Sequence, residues 1–309
     1  MVALDPVIVT LIYLVSAALF ILGLRDLGSP ATARRGNLLA SIGMLIAIVV
    51  TLLNAGIVSY ELIAVAILIG AVLGALGARL VKMTAMPQMV GLFNGFGGGA
   101  SFLVAIAAYF RGFSVGELPL PTTISILVGV FIGGITLTGS LVAFGKLQGV
   151  LSGAPITFPL QQPVNAAFVV VFVGLAGYLV AIGIQFTLFL VLVAIALVLG
   201  VLIVAPIGGA DMPVVISLLN SFSGLAASAA GFILGNEILI VAGALVGAAG
   251  LILTGIMTKA MNRSLPNVLF GAVGVDTKVP GVTTASDQTV RSIDPEEAAL
   301  LLGYAQSVI

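Results

Sequence analysis

The sequence predicts an all-α membrane protein, a polytopic bundle of about nine transmembrane helices with a parallel internal repeat. Apolar residues make up 61% of the 309 residues. Charged residues make up only 7%, against about 25% in a typical soluble domain. Long apolar runs recur along the chain, and about 20 such residues suffice for one helical crossing of a bilayer. The 39 glycines suit close packing between membrane helices.

The composition also excludes several kinds of site. The chain has no cysteine and no histidine, so disulfides, the usual zinc sites, haem ligation by either residue and Cys or His nucleophiles are all excluded. Its formal net charge is zero, which argues against a basic surface for nucleic acid. We therefore predict no catalytic group, no metal site and no nucleic-acid partner in this chain.

Nine apolar stretches are long enough to span the bilayer. They cover residues 6–24, 36–54, 60–81, 86–109, 122–145, 163–184, 186–204, 211–234 and 237–260. We place the break between spans 6 and 7 near Gly183–Gln185. Residues 163–204 are too many for one crossing, and only Gly183 and Gln185 offer a turn.

The distribution of charge predicts the orientation of the spans. Cytoplasmic loops near span ends are rich in Lys and Arg. If the C-terminus is cytoplasmic and the N-terminus outside, the outer loops hold a single basic residue, Arg111, and four acids. The inner loops then hold Arg25, Arg34, Arg35, Arg79, Lys82, Lys146, Lys259 and Arg263. We therefore predict a multi-pass membrane protein with its N-terminus outside and its C-terminus cytoplasmic.

An internal repeat relates spans 3–5 to spans 7–9. Residues 84–106 read TAMPQMVGLFNGFGGGASFLVAI, and residues 210–232 read ADMPVVISLLNSFSGLAASAAGF. A shift of 126 positions places Asn94 on Asn220 and both Met-Pro pairs in register. Because the offset is four spans, the two copies point the same way, which makes the repeat parallel. Each copy ends in a helix with small residues at close spacing, which in the second copy are Gly243, Gly247 and Gly250.

The repeated asparagines are the first candidate functional residues. Asn94 lies about 13 Å into an apolar layer about 30 Å thick, and we expect Asn220 at the same depth. A buried amide is costly unless it is hydrogen-bonded. Both residues could join helices to one another, or both could line a hydrated path. An amide cannot take up or release a proton, so a path would need a titratable group from elsewhere.

Asp211 is the second candidate, at the predicted cytoplasmic end of span 8. It immediately precedes Met212-Pro213, and its counterpart in the first copy is Ala85. One interpretation is a helix N-cap that also favours the helix dipole. The other is a proton site at the inner mouth of a path, and the two are compatible.

The other polar residues have simpler interpretations. Hydroxyls such as those of Thr136, Thr138 and Ser140 commonly bond to their own helix. Lys259 and Arg263 end span 9, where basic residues anchor the cytoplasmic side. The aromatic residues expected as interface anchors are Tyr13, Tyr109 and Tyr178. The run Gly95-Phe96-Gly97-Gly98-Gly99 lies in a predicted membrane helix and is not a dinucleotide fingerprint.

Beyond the last span the chain changes character. We predict a transmembrane domain over residues 1–262 and a hinge and linker over 263–292. Residues 293–309 are predicted as the start of a soluble domain, in which Asp294-Pro295-Glu296-Glu297 opens a helix. The final Ser307-Val308-Ile309 resembles the opening of a buried strand, which suggests a further soluble domain.

Five segments carry a family resemblance over essentially the whole chain. They are GSPATARRGNLLASIGM, MTAMPQMVGLFNGFGGGAS, GGITLTGSLVAFGKLQG, GGADMPVVISLLNSFSGLAASAAGF and LIVAGALVGAAGLILTGIMTKAMNRS. They closely resemble the beta subunit of proton-translocating NAD(P) transhydrogenase. That resemblance implies a membrane subunit that couples hydride transfer between NADH and NADP⁺ to proton movement. NADP(H) would bind in a C-terminal domain beyond this chain, and NAD(H) on a companion subunit.

The resemblance also implies roles for particular residues. Asn94, Ser140, Asp211 and Asn220 match positions of the proton path. Gly243, Gly247, Gly250, Lys259 and Arg263 match positions of coupling and of the hinge into the NADP(H) domain. The implied partners are the transhydrogenase alpha subunit or subunits with additional transmembrane helices, a second copy of the complex and the lipid bilayer.

One departure from the family and two alternatives remain. Several family members carry histidine where this chain has Asn94, so we expect a titratable group on a helix of the companion subunit. Composition and repeat alone also suit a secondary transporter or ion channel with a parallel-repeat substrate path. A passive membrane anchor is disfavoured, because polar residues recur at midplane depth.

Overall fold

The computed structural model describes residues 5–54, 60–183 and 185–270. In the tail it describes Asp294, Glu296, Ala299, Leu302 and Gly303, of which the last four are helical. The rest of the predicted tail helix and the predicted strand at Ser307-Val308-Ile309 lie outside the described residues. The described helices are α1 (Pro6–Asp26), α2 (Ala33–Asn54), α3 (Tyr60–Leu80), α4 (Met86–Val115), α5 (Leu120–Leu147), α6 (Gln161–Ile182), α7 (Phe186–Val204), α8 (Met212–Leu234), α9 (Glu237–Ala260) and α10 (Leu265–Phe270).

The first nine of these helices are long and apolar enough to cross a membrane, within the part of the chain that the structure describes. This confirms the predicted class of multi-pass helical membrane protein. The largest difference from the predicted bounds is in α4, which continues to Val115 and is about 45 Å long. The orientation of the bundle stays a prediction. We call the end that carries the α5–α6 and α7–α8 connections the predicted cytoplasmic end.

Proline and glycine determine where several helices begin and end. Proline stands in the first turn of α4, α5 and α8, where a missing N–H has no helical partner to lose. The predicted break in the stretch 163–204 is confirmed, because α6 ends at Ile182 and α7 begins at Phe186. Gly183 has a φ of 87°, a left-handed conformation that disfavours any other residue.

The core of the bundle is formed by α4, α5, α7, α8 and α9. α5 packs against α4, α7 and α8, and α8 packs against α9, α5 and α4. α1 and α2 pair with each other and reach this core through α9. α6 packs against α7. α8 therefore lies between α4 and α5 on one side and α9 on the other.

Glycines bring α9 within backbone contact of α8. A Cβ on Gly250 would lie 2.7 Å from the backbone nitrogen of Ser221. A Cβ on Gly243 would lie 2.7 Å from the carbonyl oxygen of Gly224. Since real Cβ atoms are not found that close, both positions require glycine for this packing. The small-residue spacing of span 9 is thus an α8–α9 interface.

The two predicted repeat copies share local features. A 3₁₀ turn, Met83–Ala85, precedes α4, and another, Gly209–Asp211, precedes α8. Each turn leads into a helix that starts with Met-Pro, and each of these helices packs against the next long helix, α5 or α9. The parallel repeat itself stays a prediction.

Two helices depart from simple expectations. α3 has no buried residue in this chain, although it is as long as its neighbours. α10 lies inside the segment predicted as hinge and linker, contacts α8 and α9, and buries Val268 to 2% exposure. The start of the predicted hinge is therefore ordered structure packed on the bundle.

The expectation that Tyr109 anchors the chain at the membrane interface is wrong. Tyr109 is fully buried and stacks on Phe189 with ring centroids 3.6 Å apart. Its hydroxyl accepts a hydrogen bond from the backbone nitrogen of Gln185 at 2.9 Å. An N–H at the start of a helix lacks a helical acceptor, and the phenol supplies one. Tyr13 is also part-buried, and its hydroxyl is 2.8 Å from the Thr51 hydroxyl of α2.

Candidate functional site

Asn94 joins three helices in the interior of the bundle. Its Nδ2 donates to the Ser140 hydroxyl of α5 at 2.9 Å. Its Oδ1 accepts from the Ser223 hydroxyl of α8 at 2.8 Å. Asn94 is 8% exposed and Ser140 is fully buried. Because an apolar layer offers no water to these groups, the three side chains satisfy one another.

The position of Asn94 follows from the start of α4. It is the ninth residue of a helix that begins at Met86, about 12 Å along the axis. Gly95 lies beside it, where a Cβ would be 3.2 Å from the Ser140 Cβ. The small residue lets α4 approach α5 closely enough for the amide to reach the hydroxyl. The two predicted path residues Asn94 and Ser140 are therefore in direct contact.

Asn220 enters this network through its backbone. It is the ninth residue of α8, and its carbonyl oxygen is 2.8 Å from the Ser223 hydroxyl. That hydroxyl has one proton for two acceptors, Asn94 Oδ1 and the Asn220 carbonyl, so it donates to one at a time. Among the described residues, the Asn220 side-chain amide has no hydrogen-bond partner, and the residue is half-buried.

Ser223 was not identified from the sequence. In the repeat it aligns with Gly97, so it is not among the residues kept in both copies. The sequence offers one sign of its role. Ser223 is three positions after Asn220, and residues three apart lie on the same face of a helix. Thr136 bonds to its own helix at Ile132, as predicted. Thr138 bonds to its own helix at Gly134 but lies closer to the Leu197 carbonyl of α7, at 2.8 Å. The bond given for Ser140 is the one with Asn94 and not one within its own helix.

A second set of hydroxyls lies between α8 and α9. Ser221 donates to the carbonyl oxygen of Gly247 at 2.7 Å. Thr254 is 3.1 Å from the Ser217 hydroxyl and donates to the Gly250 carbonyl at 2.8 Å. These bonds connect the predicted coupling glycines to α8.

Asp211 and Arg263 form an ion pair at the predicted cytoplasmic end. Arg263 Nη1 donates to Asp211 Oδ2 at 2.7 Å. The Asp211 side chain is 13% exposed and that of Arg263 is 53% exposed. Asp211 occupies the N-cap position of α8, but its side chain makes no cap hydrogen bond. The interpretation of Asp211 as a capping side chain is therefore wrong, because its carboxylate binds the Arg263 guanidinium instead of a backbone N–H of α8.

The end of α9 brings Arg263 to Asp211. Asn262 adopts a left-handed conformation with a φ of 52°. The N–H of Arg263 then donates to the Thr258 carbonyl at 2.9 Å, and the N–H of Asn262 to the Lys259 carbonyl at 3.0 Å. This pair of bonds is a Schellman motif, which closes the helix and turns the chain back. Lys259, by contrast, is exposed, and its ammonium has no partner among the described residues.

Lys146 is a buried residue that the sequence places only among the basic residues of the predicted inner loops. It is 4% exposed, and its Nζ donates to three backbone carbonyls, those of Ala154, Ala205 and Ile207. The sequence could not show this, because a lysine that ends an apolar helix reads the same whether its ammonium faces water or carbonyl oxygens.

The glycine run of α4 lies within a helix rather than in a loop. Gly95 to Gly99 lie inside α4, as predicted, and the position of a Cβ on Gly98 is occupied by Thr136 of α5. That glycine run serves helix packing and cannot wrap a phosphate. Within the described ranges, no three acidic side chains come together to bind a cation. Among the described residues, the glycine run therefore offers no phosphate-binding loop for NADP(H).

The fold and these contacts define a multi-pass membrane protein with a polar network inside its bundle and an ion pair at one end. The family model described as "NAD(P) transhydrogenase beta subunit" matches residues 9–309. The chain belongs to the NAD(P) transhydrogenase beta subunit family.

Relatives agree with this assignment. Two sequences from Rhodospirillum rubrum, both described as "NAD(P) transhydrogenase subunit beta", are each 44% identical to this chain over 304 residues. The match covers 96% of this chain and 65% of each relative. The chain thus spans about two thirds of the length of these relatives.

The Asn94 network predicts a measurable contribution from Ser223. Ser223→Ala removes the donor to Asn94 Oδ1 and is expected to lower the free energy of unfolding by roughly 0.5–1.5 kcal/mol. The measurement is denaturant unfolding of the purified chain in detergent micelles. Ser228→Ala is the control, because that hydroxyl on the same helix has no partner among the described residues. Equal effects of the two substitutions would contradict the network.

Proposed function

We propose that this chain supplies the proton path and the hinge of a proton-translocating NAD(P) transhydrogenase. The observation that carries this proposal is the bond between Asp211 and Arg263. It connects the start of α8, the helix that reaches the Asn94 network, with the residue that follows α9. Movement of the segment after α9 is thereby transmitted to the mouth of the path.

The path runs through the residues around Asn94. Ser140, Asn94 and Ser223 form a continuous hydrogen-bonded chain across α5, α4 and α8. The two acceptors at the Ser223 hydroxyl permit two arrangements of that chain. Among the described residues the Asn220 amide has no partner, so it is available to a water molecule or to an incoming polar side chain. None of these groups titrates near neutral pH, so the path needs a proton-binding group from another chain.

We assign that group to a transmembrane helix of the companion alpha subunit. A cavity of about 600 Å³ lies between α1–α3 and the core helices, and Ser223, Gly97 and Gly243 are among its lining residues. α3 borders it through Ile63 and Ile67 and has no buried residue in this chain alone. A helix lying against the open side of this cavity would cover α3, and its side chains could enter the cavity and reach the Ser223 hydroxyl, which is bonded to Asn94.

Cross-linking tests the position of that helix. The chain has no cysteine, so Ala227→Cys places a single thiol in it that can carry a thiol-linked benzophenone, and the unsubstituted enzyme treated in the same way gives the background. In the complete enzyme we expect capture of the alpha subunit. Gly174→Cys on α6, where a Cβ would meet nothing, is the control and should capture lipid. Capture of lipid alone from Ala227→Cys would contradict the assignment.

Coupling is assigned to α9 and the residues beyond it. Gly243, Gly247 and Gly250 hold α9 against α8. Lys259 lies in the last turn of α9 and Arg263 just beyond it, at the predicted cytoplasmic side. NADP(H) and NAD(H) are proposed as substrates of soluble domains outside this chain, on the remainder of the beta subunit and on the alpha subunit. The working assembly is proposed as a dimer of complexes in the bacterial cytoplasmic membrane, with the N-terminus outside.

The role of Asp211 is tested in the complete enzyme in sealed vesicles. NADPH and a NAD⁺ analogue are added, and hydride transfer and internal pH are followed together. Asp211→Asn keeps an oxygen acceptor but loses the charge, so we expect proton-coupled turnover to fall at least about fivefold. Glu237→Gln, an exposed acid at the other end of α9, is the control and should couple normally.

The outcomes separate the possible functions. Full proton-coupled turnover by Asp211→Asn would refute the role of Asp211. A wild-type enzyme that transfers hydride without any pH change would refute proton translocation and favour a transporter or channel with a parallel-repeat path.

A further inference from the structure

Lys146 is a buried cation that the proposed proton path does not use. Its ammonium donates to the carbonyl oxygens of Ala154 at 3.1 Å, Ala205 at 2.5 Å and Ile207 at 2.8 Å. A lysine ammonium has three N–H donors, so all of its hydrogen bonds are made. Within the described part of the chain, no carboxylate lies within ion-pair distance of it. The charge is therefore balanced by peptide dipoles alone.

These three carbonyls belong to two different connections. Ala154 lies in the loop from α5 to α6, and Ala205 and Ile207 lie in the turn from α7 to α8. Lys146 itself is the penultimate residue of α5. One side chain thus fastens the end of α5, the following loop and the turn that leads to α8.

Backbone bonds complete this clamp. The N–H of Ile156 donates to the Ala205 carbonyl at 3.1 Å, and the N–H of Gly209 donates to the Gly153 carbonyl at 2.8 Å. Gly209 is the first residue of the 3₁₀ turn that ends at Asp211. We call Lys146 and residues 153–156 and 205–209 the lysine clamp. It leads directly into the carboxylate that Arg263 binds.

We propose that Lys146 is a positioning residue for the Asp211–Arg263 pair. This inference rests on the proposed function, in which that pair links the segment after α9 to the proton path. A contact that transmits movement needs one fixed side, because a carboxylate on a loose turn would follow the guanidinium without moving α8. The lysine clamp fixes the Asp211 side to α5, which also carries Ser140 of the polar network.

The chemistry of lysine suits this task. Replacing the ammonium with an apolar group would remove the donor from all three carbonyls, of which that of Ile207 is buried. Only the Ala205 carbonyl would keep a second donor, the N–H of Ile156. Arginine keeps the charge and offers five donors, so it can replace some of these bonds. A neutral amide offers two donors and no charge.

The test compares Lys146→Met with Lys146→Arg in the complete enzyme in sealed vesicles. The readout is the number of protons moved per hydride transferred, measured well below the thermal midpoint of each variant. We expect Lys146→Met to lower this ratio roughly 3- to 30-fold and Lys146→Arg to restore at least part of it. Lys82→Met, an exposed lysine at the same predicted side, is the control and should leave the ratio unchanged.

Combination with Arg263→Gln tests whether Lys146 acts through the pair. If it does, the proton-to-hydride ratio of the double variant is no lower than that of the more impaired single variant. If Lys146→Met does not assemble, Lys146→Gln is measured in its place, with an expected ratio between those of Lys146→Arg and Arg263→Gln.

Each outcome decides the inference. A lower thermal midpoint with an unchanged proton-to-hydride ratio would overturn it and leave Lys146 as a packing residue. Independent, multiplicative effects of Lys146→Met and Arg263→Gln would also overturn it. If the wild type pumps protons and Lys146→Met pumps equally well, this inference is overturned and the proposed function is not. A wild type that moves no protons would overturn the proposed function together with it.

Discussion

Polar groups in an apolar layer must find partners inside the protein, and in this chain they find them along α8. Ser223 on one face meets Asn94, and Ser217 and Ser221 on another meet the carbonyls of α9. At the predicted cytoplasmic end of the same helix, Asp211 meets Arg263. The bonds of Ser217, Ser221 and Ser223 lie between helices, and they fix how α8 sits between α4, α5 and α9. The close glycine packing of α9 and the network around Asn94 both depend on that placement.

The contacts of α8 differ in how easily they can change. Those with α9 lie in a closed interface of glycines and hydroxyls that leaves little freedom. The Asp211–Arg263 pair is more open, because half of the Arg263 side chain is exposed. Partly exposed ion pairs contribute little to stability and exchange readily with water. The pair is therefore suited to opening and closing during turnover, while the lysine clamp keeps its carboxylate side in place.

Much of this arrangement follows from the sequence by local rules. Apolar length predicts the long helices, and Gly183 predicts the break between α6 and α7. The contact between Asn94 and Ser140 was not predicted, although both residues were selected, because residues 46 positions apart give no local sign of meeting. The same holds for Asp211 and Arg263, which are 52 positions apart. The charge of Lys146 was read as a surface feature, because carbonyl acceptors leave no trace in side-chain composition.

Tyr109 also shows that local rules cannot predict contacts between distant parts of the chain. A tyrosine near the end of a membrane helix favours a position at the headgroups. Tyr109 instead supplies the acceptor that Gln185 needs at the start of α7. That need arises from a turn more than seventy residues later in the chain, which only the packed bundle brings within reach.

The most direct measurement is the affinity of the complete enzyme for NADPH, with and without an imposed pH gradient across sealed vesicles. Coupling between two sites is reciprocal, so a proton gradient must change the Kd for NADPH if the binding of NADPH changes the proton path. We expect a shift of at least about fivefold in the wild type and its loss in Arg263→Gln. The same shift in both proteins would contradict the claim that the Asp211–Arg263 bond links the two events.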